Sequence, residues 1–134
     1  MNFWMLSKRH FNTMLNCLLV GLGGFIGAVM RYLIGLLPLK NPDGFPLATF
    51  IVNVVGALAI GCIALAVSKY ANLDQRLILF LKVGICGGFT TFSTFSLETA
   101  QLIKNGSIGV AVLYVALSIL LGVTAAMLPE IISK

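Results

Sequence analysis

Polar and apolar residues along this chain separate into long apolar blocks divided by short polar ones. The apolar blocks run roughly over residues 15–37, 46–67, 77–103 and 108–128. Each reaches about the 20 residues that a helix needs to cross a hydrocarbon core of about 30 Å. The spacing therefore predicts four membrane-spanning helices, and the short connections make consecutive helices antiparallel neighbours. Asn41-Pro42-Asp43-Gly44 and Asn105-Gly106-Ser107 supply the turn chemistry between blocks, with proline fixing φ and glycine permitting positive φ.

Composition agrees with lipid as the solvent. Of 134 residues 59% are hydrophobic and only 10% charged, with a mean hydropathy of +1.03. A soluble domain of this size needs more charge to cover its surface. All 134 residues are read as one four-helix transmembrane domain, since no other segment is long enough to fold by itself. Lys8, Arg9 and the apolar run after them resemble a signal peptide. The run passes twenty residues without a clear cleavage site and carries Arg31, so it is read as a retained first helix.

The net charge of +5 is scattered over helix ends, which gives no nucleic-acid surface. Lys8, Arg9, Lys69, Arg76, Lys82 and Lys134 fall on the side of the termini; Lys40 and Lys104 fall opposite, with Arg31 nearer to them. Six against three places the termini in the cytoplasm by the positive-inside rule. Cys17, Cys62 and Cys86 sit singly in apolar segments, spaced for neither disulfides nor a metal, and read as small buried hydrophobes. His10 belongs with Lys8 and Arg9 to a basic surface.

Four helices leave little room for a private aqueous path, so a conduit has to form between subunits. Gly23 and Gly27, Ala57 and Gly61, and Gly84 and Gly88 are pairs four apart, which favours tight helix contact.

Polar residues at membrane depth carry the candidate chemistry. Arg31 lies about six residues, or roughly 9 Å, from the end of the first block. It is either a snorkelling anchor or a positive charge in an aqueous vestibule that attracts anions. Thr49 and Asn53 share a face of the second helix, with Gly56 a turn further on. The Asn53 amide is either interhelical glue or a pair of N–H donors for an anion.

In the third block two adjacent glycines, Gly87 and Gly88, precede five hydroxyl residues in seven positions, from Thr90 to Ser96. This combination predicts a break in the helix. Freed carbonyls there suit a hard cation, and freed N–H groups suit an anion. The alternative is a packing helix whose hydroxyls bond back to the preceding turn. Phe92 and Phe95 lie nearly on one face among these hydroxyls, where a ring edge can meet a small anion. Glu98 either ends the hydroxyl face or pairs with a basic group. Tyr114 and Ser118 add a short polar stripe on the fourth helix.

Gly-Gly-Phe-Ile-Gly-Ala-Val-Met-Arg-Tyr at 23–32, Thr-Phe-Ile-Val-Asn-Val-Val-Gly at 49–56 and Gly-Gly-Phe-Thr-Thr-Phe-Ser-Thr-Phe-Ser-Leu-Glu at 87–98 together resemble the Fluc/CrcB family of small fluoride channels. The likeness covers the chain from Gly24 to the end of the fourth helix, and the third motif is the most specific. It implies an all-α membrane protein of four helices, the third broken near its middle, in an antiparallel dual-topology dimer with two fluoride pathways. The protein would be a channel rather than an enzyme, passively exporting fluoride across a prokaryotic plasma membrane. The pore asparagine maps to Asn53 and the paired phenylalanines to Phe92 and Phe95. Thr91, Ser93 and Thr94 are the neighbouring path hydroxyls, and Tyr114 and Ser118 match a polar track. A central structural sodium ion would rest on the carbonyls of Gly87 and Thr90.

Gly122 stands where family members can carry a further hydroxyl, and the first sixteen residues lie outside the likeness. Whether the dimer is formed with an identical chain or a paralogue stays open. The main rival is a proton-coupled small multidrug or anion exporter. Such exporters use a carboxylate in the first helix, where this sequence has no Asp or Glu and bears Arg31. A membrane scaffold without transport would leave the third motif unexplained.

Overall fold

The computed structural model describes residues 3–39 and 44–134, and of residues 3–11 only the helical backbone. The turn read at Asn41–Asp43, the charge of Lys40 and the basic side chains of Lys8, Arg9 and His10 lie outside what is described. Helix α1 (Phe3–Gly35) is followed by α2 (Leu47–Lys69), and α6 (Ile108–Ile132) ends the chain. Between them lies a composite third span. It consists of α3 (Gln75–Ile78), a π-helical stretch (Leu79–Cys86), α4 (Gly87–Phe89) and α5 (Phe92–Lys104). Asn12–Gly35, Leu47–Lys69, Gln75–Lys104 and Ile108–Ile132 are long and apolar enough to cross a membrane. The protein is a multi-pass, all-helical membrane protein.

The expected starts and stops hold to within a few residues, with two exceptions. Helix α1 begins at Phe3 instead of near residue 15 and runs 33 residues without interruption, about 50 Å at 1.5 Å per residue. At the other end α6 continues through Pro129 to Ile132. Pro46 occupies the position just before α2, and Gly106, with φ +79°, makes the turn between α5 and α6.

Helix α1 packs on the first half of the third span, and α2 packs on α6. Both seams are made by small residues. A Cβ on Gly23 would stand 2.9 Å from the Gly84 Cα, and one on Gly27 would stand 2.7 Å from the Phe89 amide nitrogen and run into the Ile85 carbonyl oxygen. Gly61 meets the Ala126 backbone in the same manner. Two of the three expected small-residue pairs mark approaches of backbone to backbone at both members, and the third does so at Gly61. Gly24, by contrast, has open space around its missing Cβ.

This contrast sets a test. Gly27→Val overfills the seam and lowers stability by about 1–3 kcal/mol, read as a lower thermal unfolding midpoint in detergent. Gly24→Ala leaves that midpoint in place. Equal effects of the two substitutions would show that the seam does not hold α1 to the third span.

Candidate functional site

The third span bends by 17° near its middle, and the cause is local. Gly87 itself keeps helical angles, φ −64° and ψ −38°. The departure comes at Thr90 (φ −75°, ψ 156°) and Thr91 (φ −149°, ψ 116°). The sequence argument put the weakness at the glycine pair; the chain breaks two residues later. Gly88 serves the close contact with α1, against the Gly24 backbone. The break is made instead by side chains that take over the ladder.

Asn53 on α2 replaces a peptide group. Its Nδ2 donates to the Thr91 carbonyl at 3.1 Å, and its Oδ1 accepts from the Thr91 N–H at 2.8 Å. Thr91 then caps α5: its Oγ1 accepts from the Thr94 N–H at 3.2 Å. In an unbroken helix the Thr91 N–H would bond the Gly87 carbonyl, and the Thr94 N–H would bond the Thr90 carbonyl. Both amides are diverted, so the carbonyls of Gly87 and Thr90 lose their helical partners. Gly56, one turn from Asn53, lets α2 close on the Thr90 side chain, where a Cβ would collide with Cγ2.

Two cavities flank this break. The first, about 340 Å³, is walled by Asn53, Ala57 and Ile60 of α2, by Thr90, Thr91, Phe92 and Phe95, and by Ser118 and Ile119 of α6. The second, about 280 Å³, lies toward the Gly35 end of α1, among Arg31, Gly35, Ala48, Thr49, Val52, Thr91, Thr94 and Glu98. Thr91 belongs to both walls. Asn53, Thr91, Phe92, Phe95 and Ser118, separate in sequence, are thus brought to one cavity, and Arg31 and Thr94 to the next. Ser93 and Tyr114 line neither.

Donor inventories differ among these residues. One Asn53 N–H is taken by Thr91, which leaves the second of its two. The Ser118 Oγ and the Arg31 Nε are buried and have no partner among the described residues. Thr94 Oγ1 accepts from the Thr91 hydroxyl at 3.0 Å, which leaves its own proton free. Thr90, Ser96 and Thr99 instead donate to the carbonyls of Cys86, Phe92 and Phe95. The back-bonding alternative holds for these three hydroxyls of the third span and fails for Thr94. Phe92 is 79% exposed in the single chain. It stacks obliquely on Phe95 at 5.8 Å between ring centroids.

Glu98 takes a role that its sequence position left open. Its two carboxylate oxygens accept from the Thr49 hydroxyl and the Tyr114 hydroxyl, each at 2.8 Å. One side chain so fastens α2, α5 and α6, and fully buried Tyr114 spends its hydroxyl there. Among the described residues the one ion pair within 4 Å joins Glu130 and Lys134. Arg31 and Glu98 therefore share a cavity without closing on each other. As the acidic residue close to this run Glu98 carried a signal in the sequence, but its partners are hydroxyls of α2 and α6 and not a basic group. The apolar wall of Ala57, Ile60 and Ile119 had no such signal.

The profile of the family described as CrcB-like protein, Camphor Resistance (CrcB), matches residues 18–129. A protein of Ruminiclostridium cellulolyticum named fluoride-specific ion channel FluC is 43% identical over 122 residues, covering 90% of this chain and 94% of that one. One of the same name from Methylobacterium sp. is 48% identical over 110 residues, covering 82% and 89%. Another, from Clostridium perfringens, is 50% identical over 96 residues, covering 71% and 75%.

Proposed function

The chain belongs to the CrcB family, and from that membership we propose that it is a fluoride-selective channel of the plasma membrane, passively releasing fluoride from the cytoplasm. The observation that carries the reading is the junction of two cavities at Thr91, beside Asn53. Fluoride is small and strongly hydrated, so a selective path has to replace lost water contacts with several fixed donors. The free Asn53 N–H, the Ser118 and Thr94 hydroxyls and the ring edges of Phe92 and Phe95 each supply one part. Arg31, with an unpaired Nε in the second cavity, supplies positive potential at the mouth. That placement favours its vestibule reading over a snorkelling anchor.

A sodium ion fits the break as a structural element. Gly87 and Thr90 are the residues whose carbonyls lose their amides to Asn53 and Thr91, and freed carbonyl dipoles suit a hard monovalent cation. When bound, the ion supplies positive charge that holds broken helix ends together. Phe92 and Ile119 are largely exposed on the open side of the first cavity, which supports completion of the path by a second subunit. An antiparallel partner, identical or paralogous, would present the same break from the other side. A fixed orientation with the termini in the cytoplasm, which the six-to-three charge count of the sequence favours, would call for the paralogous partner.

Proteoliposomes loaded with fluoride and holding this protein release it far faster than protein-free liposomes, with scarcely any chloride release and no need for a proton gradient. A fluoride electrode reads the result. Release at the protein-free rate overturns the channel, and release that depends on a proton gradient makes the protein an exchanger.

A further inference from the structure

A groove of about 470 Å³ lies far from both cavities, on the side of the termini, between α1 and the start of the third span. Leu15 and Leu19 of α1 and Leu77 and Phe80 form its apolar part, and Asp74 and Arg76 form its rim. The order matches the layers of a bilayer. The four apolar residues fall inside the spans Asn12–Gly35 and Gln75–Lys104, while Asp74 and Arg76 stand at the outer edge of the latter.

Both rim charges are fixed in place yet unspent. The Asp74 Oδ1 accepts from the Arg76 backbone N–H at 2.8 Å, which leaves Oδ2 open. The Arg76 Nη2 donates to the Asn12 Oδ1 at 3.0 Å and ties the rim to α1. The guanidinium keeps its other donors. Carboxylate and guanidinium form no ion pair with each other, since the one pair within 4 Å among the described residues is Glu130–Lys134.

We infer that this groove holds a phosphatidylethanolamine molecule, one acyl chain along Leu15, Leu19, Leu77 and Phe80, its phosphate on Arg76 and its primary ammonium on Asp74. The charge pattern selects this lipid. A negative and a positive group side by side complement a headgroup that carries ammonium and phosphate together. A choline headgroup has no N–H to offer the carboxylate, and a glycerol headgroup has no cation for it.

Lipid-stripped protein titrated in detergent with phosphatidylethanolamine, phosphatidylcholine and phosphatidylglycerol of the same acyl chains tests this by native mass spectrometry. The ethanolamine lipid binds about fivefold more tightly than the choline lipid, the scale of one exposed charge pair. Asp74→Asn retains the helix cap, because Asn caps as well as Asp, and abolishes that preference without weakening choline-lipid binding. Arg76→Gln weakens all three lipids. Equal retention of the ethanolamine and choline lipids by the native protein overturns the assignment. So does a preference that survives Asp74→Asn, or tighter binding of phosphatidylglycerol. Failure to retain any lipid overturns it, and disulfide formation between copies carrying Leu15→Cys or Leu77→Cys then marks the groove as a protein contact.

Discussion

Replacing Asn53 with leucine, which has nearly its shape, stops conduction: fluoride efflux from proteoliposomes falls by about 100-fold or more, the scale of losing one preorganised donor. The substitution removes the N–H that faces the first cavity and also both bonds to Thr91. An unpaired N–H or C=O at this depth costs about 1–3 kcal/mol. The chain can avoid that cost by returning the Thr91 N–H to the Gly87 carbonyl, which straightens the third span and occupies one of the two carbonyls proposed for sodium. With sodium on those carbonyls as proposed, sodium raises the unfolding midpoint of the native protein in detergent, and Asn53→Leu weakens that dependence. Native efflux in this variant would remove Asn53 from the path.

That dual use explains what the sequence could and could not reveal. The four spans were legible because apolar length alone specifies a membrane crossing. The small-residue seams were legible as pairs four apart, and the structure pairs Gly23 and Gly27 with Gly84 and Gly88. The break was legible as lying in the glycine-hydroxyl run, but not the residue at which the chain departs, because that depends on a side chain 38 residues away in sequence that competes for the Thr91 amide. Local propensity pointed to the glycines, but both stay helical, Gly88 against the Gly24 backbone and Gly87 with open space beside it. The π-helical stretch over Leu79–Cys86 had no counterpart in the residue pattern. Glu98 was visible as a lone carboxylate, but its two hydroxyl partners lie 49 and 16 residues away in sequence. Periodicity within one helix does not report such contacts.

The paired phenylalanines carry the second large effect, and the structure divides their roles. Phe92→Ile slows fluoride efflux by roughly tenfold, for loss of a ring edge beside the cavity, and lowers the unfolding midpoint less than Phe95→Ile, because Phe92 is exposed in the single chain and meets one ring where Phe95 meets two. Phe95 packs on Tyr114 at 5.0 Å between centroids, within the cluster that includes Leu102 and Ala111. Phe95→Ile therefore slows efflux by a similar factor and also lowers stability by about 0.5–1.5 kcal/mol, the worth of an aromatic pair. Efflux and thermal unfolding, measured on both variants, separate the two. Unchanged efflux in both would reduce the rings to packing.

The Asn53–Thr91 exchange of hydrogen bonds also bears on how the chain is made. Asn53 leaves the ribosome before the segment it serves, so its amide is already in the bilayer when Thr90 and Thr91 arrive. The later span enters beside a partner that can satisfy its interrupted backbone, and it never has to cross lipid with those polar groups bare. A permuted gene that encoded the third span ahead of the second would take that partner away at the moment of insertion. Synthesis order is then part of what this sequence encodes.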